Sequence, residues 1–211
     1  MKVIIGIATM SSRKNYLEKT LKSLRGQVED MEIHVYNNDE NGINYTDNAK
    51  FLPLKSLKKD VYFFSCDDDI IYPPTYIKDT IKAIEKHKCI VTYHGRILIG
   101  INRLYYSGHT VFSCLGKTNS DVEIDVAGTG VCAFRTDYFH PKNLHESKYQ
   151  KMSDLIFSWY AKSEGKKIVC LKHGYGYIKD QVVPLHNTIH GTESKKAIIQ
   201  GEIANLIFKM K

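Results

Sequence analysis

Three consecutive aspartates, Asp67, Asp68 and Asp69, follow the apolar run 60–65. Adjacent carboxylates repel one another and aspartate is disfavoured in strands, so the cluster is costly unless a cation neutralises part of its charge. Mg²⁺ and Mn²⁺ prefer oxygen ligands, and they commonly take one or two protein carboxylates while phosphate oxygens fill other positions. The cluster therefore predicts a divalent-metal site for a phosphorylated substrate. The alternative is a solvated acidic loop that caps the next helix.

A further carboxylate, Asp154, stands at the start of a helix predicted over 153–164. An acceptor hydroxyl is a poor nucleophile at neutral pH, and a carboxylate within hydrogen-bond reach can take its proton as the new bond forms. Asp154 is therefore a candidate general base, and the alternative is that it only caps the helix. His186 and His190 lie in a loop ahead of the last predicted helix, where either could be a metal ligand or a structural histidine.

The elements around these residues alternate between strands and helices over the first 95 residues. This order predicts an α/β fold with a mainly parallel central sheet flanked by helices, and ligands at the carboxyl ends of its strands. A smaller mixed or antiparallel region follows, because its short apolar pieces are interrupted by glycines. The predicted strands are 3–8, 31–36, 60–65, 89–93 and 167–172, with strand-like pieces at 96–106, 109–115 and 122–126. The predicted helices are one around 16–24 and others over 75–87, 153–164 and 193–209, with a helix or turn around 46–58.

Composition limits the classes of protein that fit. A chain of 211 residues with 43% hydrophobic residues can form one core, so we expect a single domain over 1–211. The net charge of +7 suits an anionic partner, but the paired lysines are scattered and form no basic stripe, which argues against nucleic acid. Five cysteines without a CxxC pair predict reduced thiols, mostly in the core. We expect neither a signal peptide nor a transmembrane segment, and a cytoplasmic location.

Asp67-x-Asp69 after Val61-Tyr62-Phe63-Phe64, followed by Pro73-Pro74-x-Tyr76-Ile77, resembles the DxD segment of family 2-like glycosyltransferases of the GT-A (Rossmann-like) fold. The other landmarks of that family occur in its order. They are a first strand ending at Thr9 with Arg13 nearby, a second ending at Asp39, the segment 128–130, and Ser153-Asp154-Leu155. The chain also resembles the N-terminal glycosyltransferase module of a large viral protein. This resemblance implies that the protein is located in the cytoplasm of a host cell.

The resemblance implies a metal-dependent, inverting transfer of a hexose or deoxyhexose from a UDP-sugar to a glycan or glycoprotein acceptor. Residues 1–95 would form the nucleotide-sugar half and residues 96–211 the acceptor half. Mn²⁺ or Mg²⁺ would be held by Asp69, Asp67 and His186, and Asp154 would be the base. The implied nucleotide-sugar contacts are Thr9, Arg13, Asp39, Asp67, Asp68 and Gly128. Loop capping is the alternative for Thr9 and Arg13, and an Asx-turn for Asp39.

Two departures from the family pattern concern these contacts. The second-strand loop reads Asn37-Asn38-Asp39 where two aspartates are common, and Ser153 precedes Asp154 where glutamate is common. Three other classes of protein also fit a DxD pattern. A DxD phosphatase would carry the motif on its first strand, and a nucleotidyltransferase would have a glycine-rich, arginine-containing loop after that strand. A sugar- or nucleotide-binding module without catalysis is the third.

Overall fold

A computed structural model describes residues 1–100, 105–183 and 194–211. The chain starts as a β-α-β unit, with β1 at Val3–Thr9, α1 at Lys14–Leu24 and β2 at Met31–Asn37. Every residue of β1 is buried, which explains its unbroken apolar sequence. A 3₁₀ segment, Thr46–Ser56, then leads to β3, Tyr62–Asp67.

The remaining elements follow in the predicted order. The strands are β4 Ile70–Ile71, β5 Ile90–Thr92, β6 Gly95–Leu98, β7 His109–Phe112, β8 Val122–Glu123, β9 Val126–Ala127, β10 Val131–Arg135, β11 Ile168–Cys170 and β12 Lys179–Asp180. The helices are α2 Tyr76–His87, α3 Ser153–Ser163 and α4 Ser194–Phe208. Short 3₁₀ turns lie at Ser11–Arg13, Tyr105–Ser107 and Leu144–Glu146.

Within the described ranges, the central sheet has seven strands in the order β2-β1-β3-β10-β5-β11-β8. The pairs β2–β1, β1–β3 and β5–β11 are parallel, whereas β10 is antiparallel to both of its neighbours and β8 to β11. Helices flank this sheet, and a small antiparallel sheet, β7-β6-β9, lies beside it. The predicted fold class, a mainly parallel Rossmann-like sheet with a smaller antiparallel region, is confirmed.

Three details of the predicted elements were wrong. The third strand was expected over 60–65, but β3 reaches Asp67 because its register beside β1 continues to the pair Ala8–Asp67. Strand-like structure interrupted at Gly100 was expected over 96–106, but β6 ends at Leu98 and the described residues at the end of this piece begin the 3₁₀ turn Tyr105–Ser107. The second half of the chain also contributes β10, β11 and β8 to the central sheet, so it is not confined to a separate small region.

Buried side chains fill both faces of the central sheet. On one face, stacked and tilted aromatic rings join the 3₁₀ segment, β3, β10 and α3, through Phe51, Phe63, Phe134 and Phe157. On the other face, the apolar side of α2 packs under β3, with Tyr76 against Phe64. All five cysteines are free thiols, and four of them are buried, as the sequence predicted. Within the described ranges, no helix has the length and apolar character needed to cross a membrane.

Gly6 in β1 is where the 3₁₀ segment comes closest to the sheet. A Cβ atom at Gly6 would lie 1.8 Å from the backbone oxygen of Lys50, far inside van der Waals contact. We expect Gly6→Ala to lower the free energy of unfolding by about 1–3 kcal/mol or more, because the segment must move away from β1. Chemical denaturation measures the change. Gly174→Ala is the control, since its Cβ meets no atom within 4 Å, and an equal effect of both substitutions would contradict the explanation.

Candidate functional site

A cavity of about 330 Å³ opens where β1 and β3 end and α3 begins. The carboxyl ends of parallel strands are the usual ligand-binding edge of an α/β sheet. The cavity brings together residues from both halves of the chain, including all three clustered aspartates and Asp154. Other lining residues that the argument uses are Arg13, Asp47, Lys50, His94, Arg96, Tyr105, Tyr106, Gly128, Thr129 and Gly130.

The middle aspartate of the cluster, Asp68, is held inside the protein. Its side chain is 6% exposed and forms an ion pair with Arg13, whose own side chain is 5% exposed. Arg13 Nη2 lies 2.6 Å from Asp68 Oδ1, Arg13 Nε 2.9 Å from Oδ2, and Thr9 Oγ1 donates to Oδ2 at 2.6 Å. Asp68 therefore anchors the loop after β3 to the loop after β1. In this arrangement Thr9 and Arg13 hold the aspartate loop in place.

Asp67 and Asp69 are more accessible than Asp68, with side chains 41% and 27% exposed. Asp67 forms an ion pair through Oδ1 with the ammonium of Lys50 in the 3₁₀ segment. Asp69 Oδ2 accepts a hydrogen bond of 2.7 Å from Arg13 Nη2. The two outer carboxylates are thus the more accessible ones at the cavity, while the inner one holds the loops after β1 and β3 together.

Burial and the neighbouring charge of Asp67 raise the pKa of Asp69 to about 6, although Arg13 acts in the opposite direction. Three adjacent carboxylates are difficult to ionise together, because their negative charges repel one another. Gly130 makes room for this crowded group, since a Cβ there would lie 2.0 Å from Asp67 Oδ2. The backbone N–H of Asp67 donates to the Gly130 carbonyl at 3.3 Å.

Asp154 lies in the first turn of α3 and is oriented by Thr129. Its Oδ1 accepts hydrogen bonds from the backbone N–H of Thr129 at 2.8 Å and from the Thr129 hydroxyl at 2.7 Å. Its Oδ2 lies 4.0 Å from Arg96 Nη1, and its side chain is 36% exposed. The carboxylate is thus held through Oδ1, and the residue lines the cavity.

The start of α3 is itself fixed by Asp47 from the 3₁₀ segment. Asp47 Oδ2 accepts from the backbone N–H of Ser153 at 2.8 Å, and Oδ1 accepts from that of Lys151 at 2.8 Å. Ser153 thus begins α3 with its backbone N–H bound to a carboxylate. Asp154 needs no capping role there, since its side-chain bonds go to Thr129.

The remaining candidates have different positions. Gly128 lines the cavity, and its backbone N–H donates to the His94 carbonyl at 2.7 Å. Asp39 is exposed, and its Oδ2 accepts from the backbone N–H of Ser11 at 2.8 Å, so it joins the loops after β1 and β2 at the edge of the site. Its own N–H donates to Asn37 Oδ1, so the Asx-turn seen in this loop is made by the side chain of Asn37. His186 and His190 lie outside the described residues.

Sequence reasoning missed several residues of the cavity. Lys50 and Asp47 belong to a segment whose sequence showed no apolar periodicity. Nothing in the neighbouring sequence indicated that either residue lines a cavity. His94 and Arg96 follow β5, and Arg96 packs against the rings of Tyr105 and Tyr106, with its Cζ 5.2 Å and 5.8 Å from their centroids. Burial lowers the pKa of His94, which favours its neutral form. The signal that could have found His94 is its position just after a buried strand.

Among the described residues, no group of three or more histidine, cysteine, aspartate or glutamate side chains is arranged as a ready metal site. Asp67 and Asp69 nevertheless supply oxygen donors of the kind that Mg²⁺ and Mn²⁺ prefer. One or two carboxylates suffice for these ions when phosphate oxygens and water complete the coordination. The donor set therefore fits a cation that binds together with a phosphorylated ligand.

No protein-family model and no curated protein sequence matches the chain. Among solved structures, A197 from STIV is similar over 87% of each chain, at 13% identity and a TM-score of 0.39. Apo-UDP-glucose pyrophosphorylase is similar over 99% of this chain and 81% of its own, at 14% identity and a TM-score of 0.42. Both likenesses are weak.

Proposed function

We propose that this protein is a metal-dependent glycosyltransferase of the GT-A type, which moves a hexose or deoxyhexose from a nucleotide diphosphate to an acceptor hydroxyl. One observation carries the proposal. Asp67 and Asp69, which face a cavity at the ends of parallel strands, share that cavity with a separately oriented carboxylate, Asp154. A site of this kind can hold a diphosphate at one side and remove a proton from a hydroxyl at the other.

Asp154 is the general base of the proposed reaction. Thr129 occupies its Oδ1 with two hydrogen bonds, which leaves Oδ2 to accept the proton of the acceptor hydroxyl. The acceptor oxygen, as Asp154 takes its proton, attacks the anomeric carbon opposite the diphosphate. The bond from that carbon to the diphosphate breaks as the new bond forms, so the transfer inverts the configuration at that carbon.

Asp67 and Asp69 would hold Mn²⁺ or Mg²⁺, with His186 as a further proposed ligand. When bound, the ion would supply positive charge that stabilises the departing diphosphate. We propose a UDP-sugar as the donor and a glycan or glycoprotein as the acceptor. In this proposal Arg13 and Thr9 set the position of the aspartate loop, while Asp39 and Gly128 border the nucleotide-sugar side.

A panel of nucleotide sugars, incubated with the protein and Mn²⁺, tests the proposal through the products released. A glycosyltransferase releases a nucleoside diphosphate, by transfer or by slow transfer to water, and removal of Mn²⁺ with a chelator stops the release. A nucleotidyltransferase would instead form a nucleotide sugar and pyrophosphate from a nucleoside triphosphate and a sugar phosphate. Binding without either reaction would identify a non-catalytic module and overturn the proposal.

Metal binding should depend on pH through Asp69, whose pKa is raised to about 6. Because the folded-state pKa exceeds the ordinary value of 3.8, the stability of the ion-free protein falls as the pH rises from 3.8 to about 6, where the folded protein must also ionise Asp69. In the presence of UDP, millimolar Mn²⁺ should offset this loss, so the further increase in Tm that Mn²⁺ causes should be small at pH 5 and large at pH 7.5. Asp69→Asn should abolish the pH dependence of this increase. An increase in Tm that is equal at both pH values in the unchanged protein would contradict the assignment.

A further inference from the structure

The ammonium of Lys50 is a buried positive charge at the wall of the proposed metal site. The side chain is 4% exposed, and its Nζ forms an ion pair with Asp67 Oδ1. Because its ammonium is paired with a carboxylate, Lys50 keeps its positive charge although the side chain is almost fully removed from water.

The position of Lys50 is fixed by the fold. Its backbone oxygen lies where a Cβ on Gly6 would have to be, so the 3₁₀ segment that carries it sits directly on β1. Its neighbours in the same segment pack into the core, with Phe51 stacked on Phe157 at a centroid distance of 5.6 Å. A lysine held this rigidly differs from the exposed lysines of the chain, which can leave an ion pair at little cost.

Lys50 and Arg13 together compensate much of the charge of the aspartate cluster. Arg13 pairs with Asp68 and Asp69, and Lys50 pairs with Asp67. A neighbouring positive charge lowers the affinity of a carboxylate for a proton by about ten- to a thousandfold. The same repulsion acts on a divalent cation that approaches the same carboxylates.

We propose that Lys50 is a built-in counter-charge that weakens the binding of a free divalent cation to Asp67 and Asp69, so that tight binding requires a diphosphate to arrive with the cation. The inference rests on the proposed function, since it concerns the same site. The diphosphate adds negative charge that outweighs the repulsion from Lys50. The site then stays largely free of metal until the nucleotide sugar is present. Lys50 acts in this way as a positioning and affinity-setting residue, through Asp67.

Replacement of Lys50 by methionine tests the inference directly. Methionine has a similar length and no charge, and Asp67 can still be hydrated because its side chain is 41% exposed. For Mn²⁺ alone, we expect the Kd of Lys50→Met, measured by calorimetry or thermal shift, to fall about tenfold or more below that of the unchanged protein. The factor by which UDP lowers the Kd for Mn²⁺ should be correspondingly smaller in Lys50→Met. Lys55→Met is the matched control, because Lys55 lies in the same segment but pairs with Glu146 at the surface.

A purely structural lysine would give a different result. Lys50→Met would then lower Tm without tighter binding of Mn²⁺, and this outcome would overturn the inference. If Lys50→Met does not fold, Lys50→Gln repeats the test with a polar neutral side chain. If neither variant folds, the test uses the unchanged protein. The increase in Tm with Mn²⁺ and UDP together must then exceed the sum of the increases with Mn²⁺ alone and with UDP alone, and a merely additive increase would overturn the inference. Failure of Mn²⁺ to bind even with UDP would instead overturn the metal-dependent function itself.

Discussion

Asp154→Asn should nearly abolish sugar transfer while leaving nucleotide binding intact. Asparagine can still accept hydrogen bonds from Thr129 through its side-chain oxygen, so the start of α3 should keep its structure. It cannot take a proton from the acceptor hydroxyl, and the loss of a general base lowers rates by about 10²- to 10⁴-fold. The measurement is the turnover rate with a saturating acceptor, together with the Kd for UDP in the presence of Mn²⁺.

The control for this substitution is Asp30→Asn, which removes an exposed carboxylate. Asp30→Asn should have normal turnover, and both variants should bind UDP with the affinity of the unchanged protein. Full activity of Asp154→Asn would remove Asp154 from the proposed mechanism. Loss of UDP binding in that variant would instead place Asp154 on the donor side of the cavity.

Arg13→Met should have the largest effect on stability. Asp68 is 6% exposed and depends on Arg13 for its countercharge, with Arg13 Nη2 2.6 Å from Asp68 Oδ1. Removing one partner of a buried ion pair leaves an uncompensated buried charge and costs about 3–5 kcal/mol. We expect a loss of this size in the free energy of unfolding, measured by chemical denaturation at pH 7.

Two further variants separate the buried charge from other effects of the substitution. Arg25→Met makes the same substitution at an exposed arginine and should leave the free energy of unfolding nearly unchanged. Adding Asp68→Asn to Arg13→Met removes the uncompensated charge and should recover part of the lost stability. If the double variant is no more stable than Arg13→Met alone, the ion pair is not the source of the effect.

The main sheet could be predicted from the sequence because its strands are short apolar runs separated by amphipathic helices. The burial of every residue in β1 and the spacing of Tyr76, Ile77 and Ile84 in α2 follow directly from those patterns. The place of β10 could not be predicted in the same way. Its apolar sequence fits any buried strand, and its antiparallel position between β3 and β5 depends on long-range pairing.

The candidate site was predictable in part for the same reason. The aspartate cluster and Asp154 stand at the ends of recognisable elements, so their positions follow from the topology. The topology does not predict which aspartate of the cluster is buried, because that depends on Arg13 reaching Asp68 from another loop. Lys50 escaped prediction because its burial is set by the packing of an irregular segment against β1.

The direction of β10 limits how this site can vary. Because β10 is antiparallel to β3, the turn that precedes β10 lies beside Asp67, whose backbone N–H donates to the Gly130 carbonyl. In the same turn, the backbone N–H of Thr129 donates to Asp154 Oδ1. A single three-residue turn therefore acts as a spacer that sets the distance between Asp67 and Asp154. An insertion or deletion between Gly128 and Gly130 would shift these two carboxylates relative to each other, whatever ligand the cavity holds.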